Sequence, residues 1–362
     1  MLLIGLIFIP ACSSKNDVGD AFPKPKIAFA PEQYVCYRTD APIKIDGKLD
    51  EAIWETAKWT KTFVDIEGTS KPEPRFRTRA KMLWDTTYFY VAAELEEPHV
   101  WAALTRRDAV IFYDNDFEIF IDPDGDTHQY YEFEMNAFST EWDLLLIKPY
   151  RDGGPAVNAW DIQGLKSAVH VDGTINQPGD KDTGWSLEVA IPWSVLKECA
   201  HKKAPPIAGD QWRVNFSRVE WQVEVKDGKY SKIINPETGK PYPEDNWVWS
   251  PQGIINMHYP EMWGFVQFSD KIAGTGKDEF RFNPEENAKW VLRQVYYLER
   301  THFMRHNKYT DELSEIDEGD LSAEGYCMPP VIDCTKNFFE ASIKHLNSAD
   351  EWHISQDGRV WK

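Results

Sequence analysis

Two stretches of the chain carry oxygen-rich side chains at a spacing of two. Along Asp116–Asp122, Phe117, Ile119 and Ile121 point one way, and Glu118, Phe120 and Asp122 the other. Along Tyr130–Asn136, Tyr131, Phe133 and Met135 form an apolar face, and Glu132, Glu134 and Asn136 a polar one. Pairing these stretches as strands puts Glu118, Glu134 and Asn136 on one polar surface. Carboxylates and amides match the paired hydroxyls of a sugar ring, and aromatic rings cover its C–H face. Glutamates facing each other across two strands repel unless a cation, a base or a ligand lies between them. Arg218 supplies a candidate base. With Tyr113 before the first stretch and His258 late in the chain, these residues form one candidate binding cluster. The competing reading is an ordinary solvent face of an antiparallel sheet.

Three further patterns bear on chemistry. Asp122-Pro-Asp124-Gly-Asp126 sets carboxylates at i, i+2 and i+4 on a turn. Calcium takes six to eight oxygens, often from such loops, although the other positions of an EF-hand are missing. Asp114 and Asp116 are a second candidate metal pair, and a polar hairpin turn is the alternative for the first. Trp247-Val-Trp249 places two indoles on one strand face, readable as a stacking platform centred on Trp249 or as core. Catalysis has little support: no Gly-x-Ser-x-Gly, His-Glu-x-x-His or phosphate loop occurs, and the histidines are scattered. A glycosidase needs two carboxylates at a defined separation, which abundant Asp and Glu do not establish. The chain is therefore expected to bind without turnover.

The elements that must position these residues are strands. Alternation predicts strands over Tyr34–Tyr37, Arg77–Trp84, Tyr88–Leu95, Asp116–Asp122, Tyr130–Asn136, Glu141–Lys148, Val169–Val171, Trp185–Ile191, Trp212–Trp221 and Gly264–Phe268. A short helical turn lies at Leu49–Ala57. Short strands at regular spacing, broken by Gly, Pro and Asp, argue for an all-β antiparallel β-sandwich over residues 32–270. The polar segment Val225–Asn246 reads as a long loop. Beyond about Asp270, a helix beginning at Pro284 and running to about His306, then strands over Phe338–Leu346 and Trp352–Trp361, predict a small α+β appendage at 277–362.

The first residues read as an address. Residues 2–11 are apolar, too short to span a bilayer, and end in Ala before Cys12. This resembles a bacterial lipobox, with acylation of Cys12, and residues 13–31 follow as a polar tether. The chain is expected in the cell envelope, held to the membrane by its lipid alone. Cys36, Cys199, Cys327 and Cys334 lack zinc-site spacing, and a Cys327–Cys334 disulfide stays open. The net charge of −19 excludes phosphate backbones, hence nucleic acid, but not neutral glycans or cations. Aromatics are 14% of the chain, enough to supply both core and sugar-facing rings.

Five phrases in order carry a resemblance. They are Ile45–Gly47 with Leu49–Trp54, Leu83–Val91, Asp114–Pro123, Gly184–Pro192 and Trp263–Phe268. Together they resemble the family 9 carbohydrate-binding modules over residues 32–270. That resemblance implies an immunoglobulin-like β-sandwich that binds saccharide or polysaccharide, with structural Ca²⁺ and no catalysis. It also implies a place in carbohydrate catabolism, beside partner glycoside hydrolases or transporters. Characterised members clamp sugar between two Trp rings. Here the corresponding stretches read Ile111-Phe-Tyr113 and Asn256-Met-His-Tyr259, so Tyr113 and His258 or Tyr259 stand in their place. The other readings are an interaction module with a degenerate sugar site, and a glycoside hydrolase.

Overall fold

A computed structural model describes residues 21–316 and 321–362. Its elements begin with β1 (Gln33–Arg38), α1 (Ala52–Thr56), β2 (Val64–Asp65), β3 (Thr78–Trp84) and β4 (Tyr88–Glu96). The central strands are β5 (Asp116–Asp122), β6 (Tyr130–Asn136), β7 (Glu141–Leu146), β8 (Ala156–Val157) and β9 (Lys166–Asp172). Then come β10 (Gly184–Pro192), α2 (Trp193–Leu196), β11 (Gln211–Glu220), β12 (Val223–Lys226), β13 (Lys229–Lys232), β14 (Asp245–Val248) and β15 (Gly264–Ile272). Helix α3 (Glu285–His306) and strands β16 (Val331–Cys334), β17 (Phe339–Lys344), β18 (Glu351–Ser355) and β19 (Val360–Trp361) complete the chain.

The fold is an all-β sandwich. One hydrogen-bonded path runs β8-β7-β6-β5-β11-β15-β1-β3-β4-β10-β9, with β14 branching from β11 and β2 from β14. It doubles over so that two layers share one apolar core. Phe117, Ile119, Ile121, Tyr131, Phe133 and Met135 come from one layer, and Met82, Val91, Leu187 and Val189 from the other. The pairing is antiparallel throughout except at β1, which lies parallel to both β15 and β3. A strand reached by a long excursion from each neighbour is free to run parallel, and β1 stitches the layers together.

On the outer face of β10, Glu188 holds the opening loop. It accepts from the backbone N–H of Asp46 at 2.9 Å and Gly47 at 3.0 Å, and from Trp54 Nε1 at 2.8 Å. Gly47 has φ +83°, and a Cβ there would sit 2.4 Å from the His170 nitrogen. Only glycine fits that turn.

Three expectations change. The long loop at 225–246 is not structureless: hairpin β12–β13 and the start of β14 occupy much of it. The expected single strand from Trp352 to Trp361 is a hairpin, β18 turning through Gly358 into β19. The appendage at 277–362 packs on the sandwich and shares a core with it. Val291, Leu292, Val295, Tyr296 and Tyr297 of α3 pack with Ile343 and Ile354, and also with Tyr259, Met262 and Phe22. Within the 13–31 segment expected as a tether, the described residues include the buried Phe22 and the half-buried Phe29, the latter stacked on Trp290 at 4.6 Å. Those side chains anchor the segment where a free tether was expected. Cys12 lies outside the described residues, and the four described cysteines are free thiols.

Candidate functional site

The outer face of β5 and β6 carries the expected carboxylates. Glu118 faces Glu134 across the ladder, Asp116 faces Asn136, and Phe120 faces Glu132. On the other side of β5, Glu118 faces Ser217 of β11. Ile111, Met257 and Trp263 from the loops, and Trp142 from the neighbouring β7, close over this face, so Glu134 is only 1% exposed and Glu132 5%. Burial, then repulsion from Glu118, Asp116 and Glu132, pushes the Glu134 carboxyl well up. Burial also raises Glu118, to about 7.

Among the described residues, several oxygens here have no partner. Asp116 Oδ2, Glu118 Oε2 and Glu132 Oε2 are buried without a hydrogen bond. The Ser217 hydroxyl makes no bond of normal geometry either, although it lies close enough to Glu118 to lower its carboxyl. Each such group costs roughly 1–3 kcal/mol if left unmet. A ligand's hydroxyls or a cation would satisfy them.

Two rings flank this floor. Tyr113 ends a 3₁₀ turn (Ile111–Tyr113) and is 52% exposed. The N–H of its neighbour Phe112 donates to Glu134 Oε2 at 3.1 Å, which ties the turn to the floor. Lys232 Nζ lies 5.8 Å from the Tyr113 ring and 3.2 Å from that of Trp221. Burial lowers this lysine to about 8. Tyr150, in the turn after β7, is 49% exposed and sits edge-on to His258 at 4.5 Å. Burial, then the charges of Glu132 and Glu134, raise its phenol, which stays neutral.

Five expected residues serve elsewhere. Arg218 lies opposite Phe117 and two residues from Phe216, so strand parity turns it inward, away from Glu118. There it is fully buried, bonded to Glu97 at 2.9 Å, Glu220 at 2.8 Å and the Thr78 hydroxyl at 3.0 Å. Asn136 spends its whole amide inside the protein, accepting from Phe138 and Thr140 and donating to Leu104 and Asp114. Trp249 is core, and a Cβ on Gly264 would come within 2.6 Å of its ring. His258 is held at about 3 by burial and by Arg151, and its Nδ1 pairs with the Tyr130 hydroxyl at 2.9 Å. It supports Tyr150 from behind. Tyr259 is buried, its hydroxyl bonded to Pro23.

The metal candidates divide. Asp114 Oδ2 already takes three donors, from Ala103, Leu104 and Asn136. Asp122 accepts from the N–H of Gly125 and Thr127, and Asp126 from the N–H of His128 and from Arg359. Lys202 also acts on Asp124. Backbone N–H groups, Arg359 and Lys202 meet part of the charge of this turn, whose carboxylate oxygens are grouped closely enough to share an ion, while burial and mutual repulsion still raise Asp122 and Asp124. Asp116 stands apart, grouped with Glu118 and Glu134.

Sequence reasoning passed over Glu132, Ser217 and Tyr150. Glu132 shares the parity of Glu134 and was findable; Ser217 lies on the face of β11 opposite to Arg218, the residue chosen on that strand. Tyr150 sits in a turn with no periodic signal. A cavity of about 750 Å³ lies elsewhere, between Arg213 of β11 and Lys289 of α3.

Residues 45–209 match the family described as carbohydrate family 9 binding domain-like. Exoglucanase XynX of Acetivibrio thermocellus is 27% identical over 153 residues, 42% of this chain and 12% of that protein. The chain thus spans about a tenth of the length of the curated relatives it matches. A putative carbohydrate-binding protein from Bacteroides uniformis is similar at 15% identity and a TM-score of 0.48, covering 66% of this chain and all of that one. A family 9 carbohydrate-binding module from Caldicellulosiruptor kristjanssonii, in complex with cellotriose, is 16% identical with a TM-score of 0.42, covering 68% and 98%.

Proposed function

We propose that this chain, a carbohydrate family 9 binding domain-like protein over residues 45–209, binds saccharide without turning it over. The observation that carries the reading is the set of partnerless buried oxygens of Glu118, Glu132 and Ser217 beneath two half-exposed tyrosines. Oxygens at that depth accept hydroxyl hydrogens, and the rings take an apolar C–H face. The family match over residues 45–209 supports the same conclusion. Isothermal titration against a panel of soluble glycans, read together with a reducing-sugar assay, tests it. The expected result is a saturable heat with no sugar released, abolished when Tyr113 and Tyr150 are both changed to Ala. No heat at millimolar ligand, or heat unchanged in that double variant, sinks the reading.

The same proposal places the protein in the cell envelope, anchored by a lipid on Cys12, capturing glycan for a partner hydrolase or transporter. The apolar run of residues 2–11 ending in Ala before Cys12 supports the anchor. Among the described residues no helix is long and apolar enough to cross a membrane. Metabolic labelling with a palmitate analogue should mark the parent and not Cys12→Ser; equal labelling of both refutes the anchor.

A further inference from the structure

Buried cations such as Arg213 and Arg218 meet carboxylates: Arg213 bonds Glu286 at 2.6 Å, and Arg218 bonds Glu97 at 2.9 Å and Glu220 at 2.8 Å. Lys232 does not. Its side chain is half-buried, and among the described residues its ammonium forms neither an ion pair nor a hydrogen bond. Aromatic faces surround it instead. The Trp221 ring centre lies 3.2 Å away, that of Tyr113 5.8 Å and that of Trp101 6.0 Å. Those faces stabilise the charge, but they leave its three N–H donors without a lone-pair acceptor. Asp114 and Glu244 attract the ammonium only from farther off, and burial outweighs them.

The fold sets this lysine at the edge of the proposed saccharide site. Lys232 ends β13, where it faces Val223 of β12, and Tyr230 faces Val225. Tyr230 and Lys232 therefore share one face of the hairpin, and Tyr230 packs there on the patch of Trp101 and Trp221. The same packing brings the ammonium beside Tyr113, the half-exposed ring proposed to take a sugar. The base of the hairpin also neighbours the floor, since the charge of Glu244 acts on both Lys232 and Glu118. The hairpin lies beyond the matched residues 45–209, so the family match assigns it no role.

We propose that Lys232 pairs with an acidic substituent of a saccharide stacked on Tyr113, so that the site prefers glycans carrying a uronate or sulfate group. The inference rests on the binding function proposed above and names the class of sugar selected. An anion at this edge does not meet the full formal charge of the floor. Burial holds Glu132 and Glu134 well above the usual carboxylate range, which favours their neutral forms. The net charge of −19 repels an anion at a distance. The preference is therefore local, made on contact with Lys232.

Calorimetry on the full chain tests this with sugars that differ in charge alone. The probes are glucuronate and galacturonate oligosaccharides, the same oligosaccharides as methyl esters, and sulfated and unsulfated galactose oligosaccharides. At least one acidic sugar should bind roughly five- to tenfold more tightly than its neutral counterpart. That advantage should shrink as sodium chloride rises from about 20 to about 500 mM, whereas neutral affinity should hold. Lys232→Gln and Lys232→Met should each bring the acidic sugar down to the level of the neutral one. Neutral affinity in both should stay within about twofold of the parent's, and Lys232→Arg should keep the preference. Melting temperatures equal to the parent's show that the variants fold. The ester and sulfate pairs tell which acidic group is taken. Acidic and neutral sugars bound equally by the parent overturn the inference and leave the binding function standing. So does a preference that survives Lys232→Gln. No sugar of either kind bound overturns both.

Discussion

At the scale of single residues, the affinity of the proposed site has to come from Tyr113 and Tyr150. Glu118 and Glu134 are too deeply set to offer much contact area, whereas each tyrosine presents about half of itself to solvent. An aromatic ring laid against one sugar face contributes about 1 kcal/mol. Tyr113→Ala or Tyr150→Ala alone should then weaken binding roughly five- to tenfold. Tyr113→Trp should preserve or tighten it, and calorimetry on the same glycan reads all three. What was legible at this scale followed parity. Glu118 and Glu134 were chosen because alternation puts them on one face, and they are there. The same rule, applied to Phe216 and Arg218, turns the arginine inward. Choosing it as their counter-charge went against the alternation of its own strand. Asn136 shows a different limit, since nothing in its strand position tells an amide that meets a ligand from one that ties down the turn after it.

Among the elements, the long strands were readable because each buries one apolar stripe of alternating residues, as Phe117, Ile119 and Ile121 do on β5. Hairpin β12–β13 was not. Its residues are mostly polar, and it rests on a small patch of Trp101, Val219 and Trp221 that only the folded chain assembles. Strand β10 permits a quantitative statement. Burial raises Glu188 to about 7 despite its three hydrogen-bond donors, and among the described residues no cation pairs with it. The folded state therefore holds this proton more tightly than the unfolded chain, where a glutamate titrates near 4.3. The resulting stability is complete below about pH 4.3 and is lost as pH rises through about 7, on the order of 3 kcal/mol in all. In Glu188→Gln that decline should disappear. The variant begins about 1–3 kcal/mol lower, because an amide cannot accept from all three donors. Urea midpoints from pH 4.5 to 8 measure the slope, and an equal slope in parent and variant assigns the titration to another group.

For the molecule as a whole, residues 277–362 behave as part of the structural body, although the family match covers residues 45–209. Their core includes Tyr259 and Met262 from the loop before β15, and Phe22 from the N-terminal segment. Buried charges cross the same boundary. Arg213 of β11 bonds Glu286 of α3 at 2.6 Å, and Lys289 reaches Glu286 at 2.9 Å. Asp152 is held by the Tyr296 hydroxyl and by Arg300, both from α3. A chain ending at residue 276 exposes three large side chains, Phe22, Tyr259 and Met262, worth about 1.5–3 kcal/mol each. It also strands Arg213, and breaking a buried ion pair costs about 3–5 kcal/mol. Together these approach the 5–15 kcal/mol that holds a typical domain folded. The truncated chain should therefore aggregate or unfold at a much lower urea concentration than the parent. Arg213→Met in the full chain, which leaves Glu286 with Lys289 as its remaining partner, should lose a smaller part of that stability. Size-exclusion chromatography and urea unfolding of the three proteins decide it. A truncated chain that melts with the parent's midpoint would make 277–362 a separable appendage after all.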